Sequence, residues 1–116
     1  MHAHIDKLSQ TLRLSQHQSA ILKNNSRYYN VGRIVKRGNI VYVPYVSHGL
    51  LSWFADFLFG AQADLIAPNK TLIKKQRNIK FCKNGYHCVK LGAYTYYGDA
   101  AGQAISRNEF LKNTKD

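Results

Sequence analysis

Two cysteines and a histidine near residue 85 are the side chains whose types most directly invite chemistry. Cys82 and Cys88 flank Asn84-Gly85, a strong signal for a tight hairpin turn, and His87 lies between them. Thiolate and imidazole groups bind zinc, but a structural zinc site takes four ligands, and the sequence offers no second pair nearby. We therefore expect two thiols, no metal site and no cofactor.

The register of this hairpin decides whether Cys82 and Cys88 can form a disulfide. A two-residue loop pairs Cys82 with His87, which places the cysteines on opposite faces of the hairpin. A three-residue loop with a bulge pairs Cys82 directly with Cys88. The sequence leaves both alternatives open.

Histidine and arginine are also the residues of small ribonucleases, which need a base for the 2′-hydroxyl proton and cations for the phosphate. His48 and His87 are the candidates for the base, so a ribonuclease-like toxin is one alternative function. However, the five histidines show no recognisable spacing. The sequence also lacks a nucleophile elbow, a phosphate-binding glycine loop and paired carboxylates. This pattern favours a protein without catalytic residues.

Cations interleaved with tyrosines dominate the strand-like parts of the sequence. The 17 Lys and Arg outnumber the six Asp and Glu, and the net charge of +11 points to a polyanionic partner such as DNA or RNA. The cations fall into two basic blocks, residues 7–37 and 70–90, on either side of a neutral centre. Lys and Arg bind phosphates, and tyrosine rings stack on bases of any identity. The predicted phosphate contacts are Arg33, Lys36, Arg37, Lys74, Lys75, Arg77, Lys80 and Lys83, and the predicted stacking residues are Tyr94 and Tyr96.

The tyrosines have two open interpretations. Tyr94 and Tyr96 share a face if residues 93–97 form a strand, and they would then offer a stacking platform. Tyrosine is equally a common half-buried strand residue. No RNA-recognition, KH or zinc-finger motif is present. The first hypothesis is a non-catalytic nucleic-acid-binding protein, with the choice between DNA and RNA left open.

The segment 49–60 is unusually rich in aromatic residues. Most of its leucines and phenylalanines fall on one stripe at helical spacing, which predicts a core-facing helix over residues 48–66. Trp53 lies at the margin of this stripe and Phe59 on the opposite side. We expect Trp53 and Phe59 to contact a partner, which includes a second copy of the chain. The absence of Lys and Arg from the helix argues against a membrane surface.

In size and charge the chain resembles, loosely, the short proteins that phages and plasmids carry. This resemblance implies the second hypothesis, a protein-binding inhibitor or accessory factor that blocks, for example, a nucleoprotein defence complex through an acidic partner surface. No apolar run approaches the roughly 20 residues of a membrane span. The first residues also lack the features of a secretory signal, so we expect a cytoplasmic protein.

The elements that must position these residues are those of one small α+β domain. The length of 116 residues suits a single domain over residues 1–116. We expect a mainly antiparallel sheet of about four or five strands. Apolar spacing, turn residues and a capping box predict an N-terminal helix over residues 4–24, a hairpin over 28–46, the aromatic helix over 48–66, strands within 71–97 and a C-terminal helix over 106–113.

Overall fold

Two antiparallel sheets and four α-helices make up the protein in the computed structural model, which describes residues 2–46 and 49–115. This confirms the α+β class. In chain order the elements are α1 (His2–Leu12), α2 (Gln16–Tyr28), β1 (Val35–Arg37), β2 (Ile40–Pro44), α3 (Gly49–Phe59), β3 (Ala63–Ile66), β4 (Thr71–Gln76), β5 (Ile79–Phe81), a 3₁₀ turn (Lys83–Gly85), β6 (His87–Leu91), β7 (Tyr94–Gly98) and α4 (Arg107–Thr114).

The first sheet has the strand order β1-β2-β3-β4 and the second has the order β5-β6-β7. The first sheet packs against other elements on both of its faces. Alternate β2 residues Val41 and Val43 pack with Leu22 of α2 on one face. On the other face Tyr42 stacks on Phe81 of the second sheet, with ring centroids 5.8 Å apart. The molecule is therefore layered, with α1 and α2, then the first sheet, then the second.

The N-terminal region forms two helices rather than the single helix predicted over 4–24. Arg13 adopts a left-handed φ of 55°, which ends α1. Ser15 then starts α2 as an N-cap, because its side chain accepts the backbone N–H of Gln18 and the Gln18 side chain accepts the Ser15 N–H. Helix α2 continues to Tyr28. The hairpin predicted over 28–46 is therefore shorter in the structure and consists of β1 and β2.

The aromatic helix predicted over 48–66 ends instead at Phe59, and its position 48 lies outside the described residues. Gly60 takes a φ of 88°, a conformation that breaks a helix. Residues 63–66 then form β3, with all four residues buried. Leu65 lies seven residues after Leu58, about two helical turns, so the apolar spacing alone also fits a helix. The strand forms because β3 pairs with β2 on one edge and with β4 on the other.

The strands predicted within 71–97 form, but they are divided between the two sheets. The described residues contain seven strands, instead of the expected four or five in one sheet. Strand β4 completes the first sheet, while β5, β6 and β7 form the second. At the C-terminus α4 lies within a residue of the predicted bounds, because Ser106 caps it by accepting the Glu109 N–H. Phe110 of α4 packs on Tyr97 of β7, with ring centroids 5.0 Å apart.

The hairpin that carries the cysteines adopts neither of the two expected registers. The 3₁₀ turn occupies three residues, with Asn84 at a φ of 62°, and β5 pairs with β6 so that Lys80 lies opposite Cys88. Because alternate residues share a face, Cys82 and Cys88 lie diagonally on the same side of the hairpin. Both are free thiols, and burial raises the pKa of Cys88.

Candidate functional site

The two basic blocks meet at a pair of turns. A Cβ atom on Gly38, between β1 and β2, would lie 2.7 Å from the Asn84 carbonyl oxygen, and one on Gly85 would lie 2.5 Å from the Arg37 carbonyl oxygen. The close approach and the positive φ at both positions suit only glycine. Arg37 and Lys83 are both exposed here. The tertiary structure thus brings one predicted phosphate contact from each block to the same end of the molecule.

Lys36, the neighbour of Arg37, has a structural role. Its side chain lies on the helix-facing side of β1, since it is paired with Val41. Its Nζ donates to the carbonyl oxygens of Leu12 and Arg13, each at 3.0 Å. These carbonyls end α1, so the ammonium group caps that helix. The sequence carries no signal for this contact, which joins residues more than 20 positions apart.

A cavity of about 300 Å³ at the other end of the first sheet combines tyrosines with predicted phosphate contacts. It lies where the end of α2 meets β2, β4 and the inner side of α3. We call it the tyrosine–lysine pocket, and its aromatic and cationic lining consists of Tyr28, Tyr29, Tyr45, Lys75 and Arg77.

Lys75 is the cation most closely associated with the aromatic rings of this pocket. Its Nζ lies 3.5 Å from the ring centroid of Tyr29 and 5.4 Å from that of Tyr45. The two rings meet edge to face at 5.3 Å. A hydrogen bond to Lys75 and its positive charge lower the pKa of Tyr29. These cation–π contacts fix the ammonium group in the pocket.

Asp64 lies behind the pocket lining, where it bonds to Tyr45 and Lys75, and is only 1% exposed. Its carboxylate accepts the Asn25 side-chain amide at 2.7 Å, the Tyr45 hydroxyl at 2.7 Å and the backbone N–H of Lys75 at 2.8 Å. A buried carboxylate requires such donors. Burial and the hydrogen bond to Asp64 raise the pKa of Tyr45, so its hydroxyl stays protonated and donates. A left-handed φ of 50° at Lys75 accompanies the bond from its N–H to the carboxylate.

Sequence reasoning misses Asp64 and Asn25. The helix predicted over 48–66 includes Asp64, which the structure places in β3. The available signal is an acid inside the short apolar run 63–66, since a charged residue in a buried strand must have partners. The N-terminal helix predicted over 4–24 stops before Asn25, whereas this residue lies inside α2 and faces the first sheet.

Arg77 holds α3 against the first sheet. Its Nη1 lies 2.7 Å from Asp56 Oδ1 and also donates to the carbonyl oxygen of Gly60 at the end of the helix. The carboxylate neutralises the guanidinium locally, so Arg77 serves to position α3 beside the pocket. The ammonium group of Lys75, by contrast, forms no ion pair within the described part of the chain. Lys75 is therefore the cation that the pocket can offer to a ligand.

The remaining predicted phosphate contacts are exposed but lie apart from the pocket lining. Arg33 lies between α2 and β1, and Lys80 on β5 faces away from the first sheet. Lys74 on β4 is also exposed, and its charge contributes to lowering the pKa of Tyr29. These cations extend the positive field around the molecule rather than forming one site.

The predicted tyrosine platform is only partly open. Tyr94 and Tyr96 share a face of β7, as expected, and lie opposite Leu91 and Val89. Tyr94 is 64% exposed. Tyr96 is half-buried with its ring 6.0 Å from that of His87, and burial raises its pKa. One ring is thus available for stacking and the other packs against the interior.

His87 is fully buried and cannot reach a substrate. Its Nδ1 lies 3.1 Å from the Gly85 carbonyl oxygen, and its Nε2 is buried with no hydrogen-bond partner among the described residues. Burial lowers the pKa of His87. This effect outweighs the hydrogen bond to that carbonyl and the charge of Asp99, both of which raise the pKa. The His87 side chain therefore cannot contact an RNA strand as the general base that the toxin hypothesis requires. The other candidate, His48, lies outside the described residues.

Helix α3 has the opposite orientation to that predicted. Ser52 and Asp56 on its polar side line the pocket, while the apolar stripe that includes Phe54 and Phe57 faces solvent. The contacts of Arg77 with Asp56 and Gly60 hold this orientation. The predicted partner residues Trp53 and Phe59 are both exposed, and Trp53 stacks on Phe57 with ring centroids 5.9 Å apart.

The sequence matches no protein-family model, no curated protein and no solved structure. Among residues 2–46 and 49–115, no helix has the length and apolar character needed to cross a bilayer. Within the same residues, no three His, Cys, Asp or Glu side chains are grouped as they would be around a metal ion.

Proposed function

We propose that this protein binds nucleic acid without catalysis, and that the tyrosine–lysine pocket receives an unstacked nucleotide of a single strand. The observation that carries the proposal is the pocket itself. There a predicted phosphate contact, Lys75, lies against the rings of Tyr29 and Tyr45, and Tyr28 lines the same cavity. Aromatic rings for bases and a cation for the phosphate are the two requirements for binding single strands without sequence preference.

The distribution of acids supports a polyanionic ligand. Asp6 pairs with Lys23 and Asp56 with Arg77. Asp64 is buried, and the Asp99 carboxylate accepts two backbone N–H groups in a turn. These carboxylates bond to groups of the protein itself. The excess of 17 cations over six acids therefore gives the molecular surface a positive field. Such a field attracts phosphates and makes binding sensitive to salt.

The dimensions of the pocket favour a single strand over a duplex. A volume of about 300 Å³ is at the small end of ligand pockets and suits one base with its sugar or phosphate. Tyr28 at the rim is 66% exposed and presents a ring for stacking. Lys75 lies deeper, with its ammonium group held over Tyr29. A base on Tyr28 would leave its phosphate within the field of Lys75.

Titration of fluorescent single- and double-stranded DNA and RNA at several salt concentrations tests the proposal. We expect single strands to bind more tightly, with affinity that falls steeply as salt rises. Lys75→Met should weaken binding and reduce the salt slope by about 0.7, the value for one phosphate contact on a single strand. Lys112→Met on α4 is the matched control and should have a smaller effect. Absence of binding near 50 mM salt would refute the proposal.

Two tyrosines of nearly equal exposure, Tyr28 at 66% and Tyr94 at 64%, allow the pocket to be compared with the predicted platform. Tyr28→Ala should cost about 1–3 kcal/mol of single-strand binding free energy, the range for loss of one stacked base. Tyr94→Ala should cost less if the pocket is the principal site. The reverse order would place the principal site on β7.

A further inference from the structure

We propose that the outward face of α3 is the interface of a homodimer. This face consists of Leu50, Leu51, Trp53, Phe54, Phe57 and Leu58. Their exposed fractions lie between 52% for Phe54 and 87% for Leu51. No residue of α3 is buried, which is unusual for a helix that contains so many large apolar side chains. The inference does not rest on the proposed binding of nucleic acid.

The helix cannot bury this face by turning over in place. Ser52 and Asp56 on its inner side line the pocket. Arg77 bonds to both Asp56 and the Gly60 carbonyl, and a rotation of the helix would break these contacts. The apolar face is therefore presented outward by specific polar contacts of the domain.

The exposed area is of the size that a dimer requires. A fully exposed aromatic side chain offers about 200 Å², and a leucine side chain, which is smaller, offers about 150 Å². Scaled by their exposed fractions, the six side chains leave roughly 700 Å² of apolar surface open, and a standard interface takes about 800 Å² from each partner. Interfaces between identical subunits are also the more apolar class.

A second copy of the chain is the occupant that the charges favour. Residues 49–59 contain no Lys or Arg, and their single acid, Asp56, is paired on the inner side. Two copies related by a twofold axis would join uncharged faces. A helix that binds a lipid surface or an acidic protein would instead carry cations on its contacting face. The paired turns of Arg37 and Lys83 lie at the far end of the first sheet, which limits repulsion between two chains of charge +11.

Trp53 provides a direct probe, because it is the sole tryptophan and belongs to the proposed interface. We expect sedimentation equilibrium to give the mass of a dimer at micromolar concentration. On dilution, Trp53 emission should shift to longer wavelength as the dimer dissociates and the indole becomes hydrated. Both measurements are made without nucleic acid, so their outcome is separate from that of the strand titrations.

Phe57→Asp should raise the dimer dissociation constant by at least about 30-fold, the effect of a hot-spot residue. Its emission should then be that of a hydrated tryptophan at every concentration. Leu111→Asp, at an exposed position of α4, makes the same kind of change away from the interface and should leave the dimer intact. Circular dichroism checks that both variants fold. A wild-type monomer at 100 μM, including one that binds anionic vesicles or another protein, would overturn the inference, as would a dimer unaffected by Phe57→Asp.

Discussion

Replacement of Tyr45 by phenylalanine tests whether the buried carboxylate of Asp64 organises the pocket. The hydroxyl of Tyr45 donates to Asp64 Oδ2 at 2.7 Å, and the variant removes only this group. Two other donors remain, the Asn25 amide and the backbone N–H of Lys75. The aromatic packing of the ring against Tyr29 is retained.

The expected loss of stability follows from the charge and burial of the acceptor. A hydrogen bond to a charged group contributes about 1.5–3 kcal/mol, compared with about 1 kcal/mol between neutral groups. Asp64 is 1% exposed, so bulk water cannot readily replace the lost donor. We therefore expect Tyr45→Phe to lower the free energy of unfolding by about 2 kcal/mol. In a domain of this size that corresponds to a fall in Tm of roughly 8 °C.

Urea denaturation followed by circular dichroism measures the change. Tyr28→Phe removes the same hydroxyl from a tyrosine that is 66% exposed, and this control should stay within about 0.5 kcal/mol of the wild type. A loss below about 0.5 kcal/mol for Tyr45→Phe would refute the reasoning, since the carboxylate would then not depend on this donor.

Other contacts of the fold lead to further expected outcomes. Lys36→Met should lower the free energy of unfolding by about 1 kcal/mol in urea denaturation, because α1 loses its cap. Arg37→Gln should instead weaken the binding of single-stranded nucleic acid and reduce its dependence on salt. Gly98→Ala should destabilise by about 1–3 kcal/mol because the added methyl group overlaps the His87 ring; an unchanged Tm would contradict this packing. Burial lowers the pKa of His87, so the contribution of His87 to stability should be fully present above about pH 6.5 and be lost below it as the unfolded chain takes up the proton. Urea midpoints from pH 7 to pH 5 measure this loss, which should be smaller in His87→Gln.

Features set by neighbouring residues could be predicted from the sequence. Ser106 and Glu109 are three positions apart and start α4, and Gly38 permits the turn between β1 and β2. The α+β class follows from the same local signals. The break between α1 and α2 is also encoded locally, in the capping box of Ser15 and Gln18, but the apolar spacing across it suggests one helix.

The pocket and the direction of α3 depend on contacts between distant parts of the chain. Asp64 meets Asn25 across 39 positions, and Arg77 meets Asp56 across 21. An apolar stripe shows that a helix has two faces, but it does not say which one meets the domain. Here one ion pair and one carbonyl contact turn the polar face inward. Most of the helices and strands and the positive charge could thus be read from the chain alone, because they arise from local propensity and composition. The pocket and the exposed helix face emerge only when the chain folds, because the residues that create them are remote in sequence.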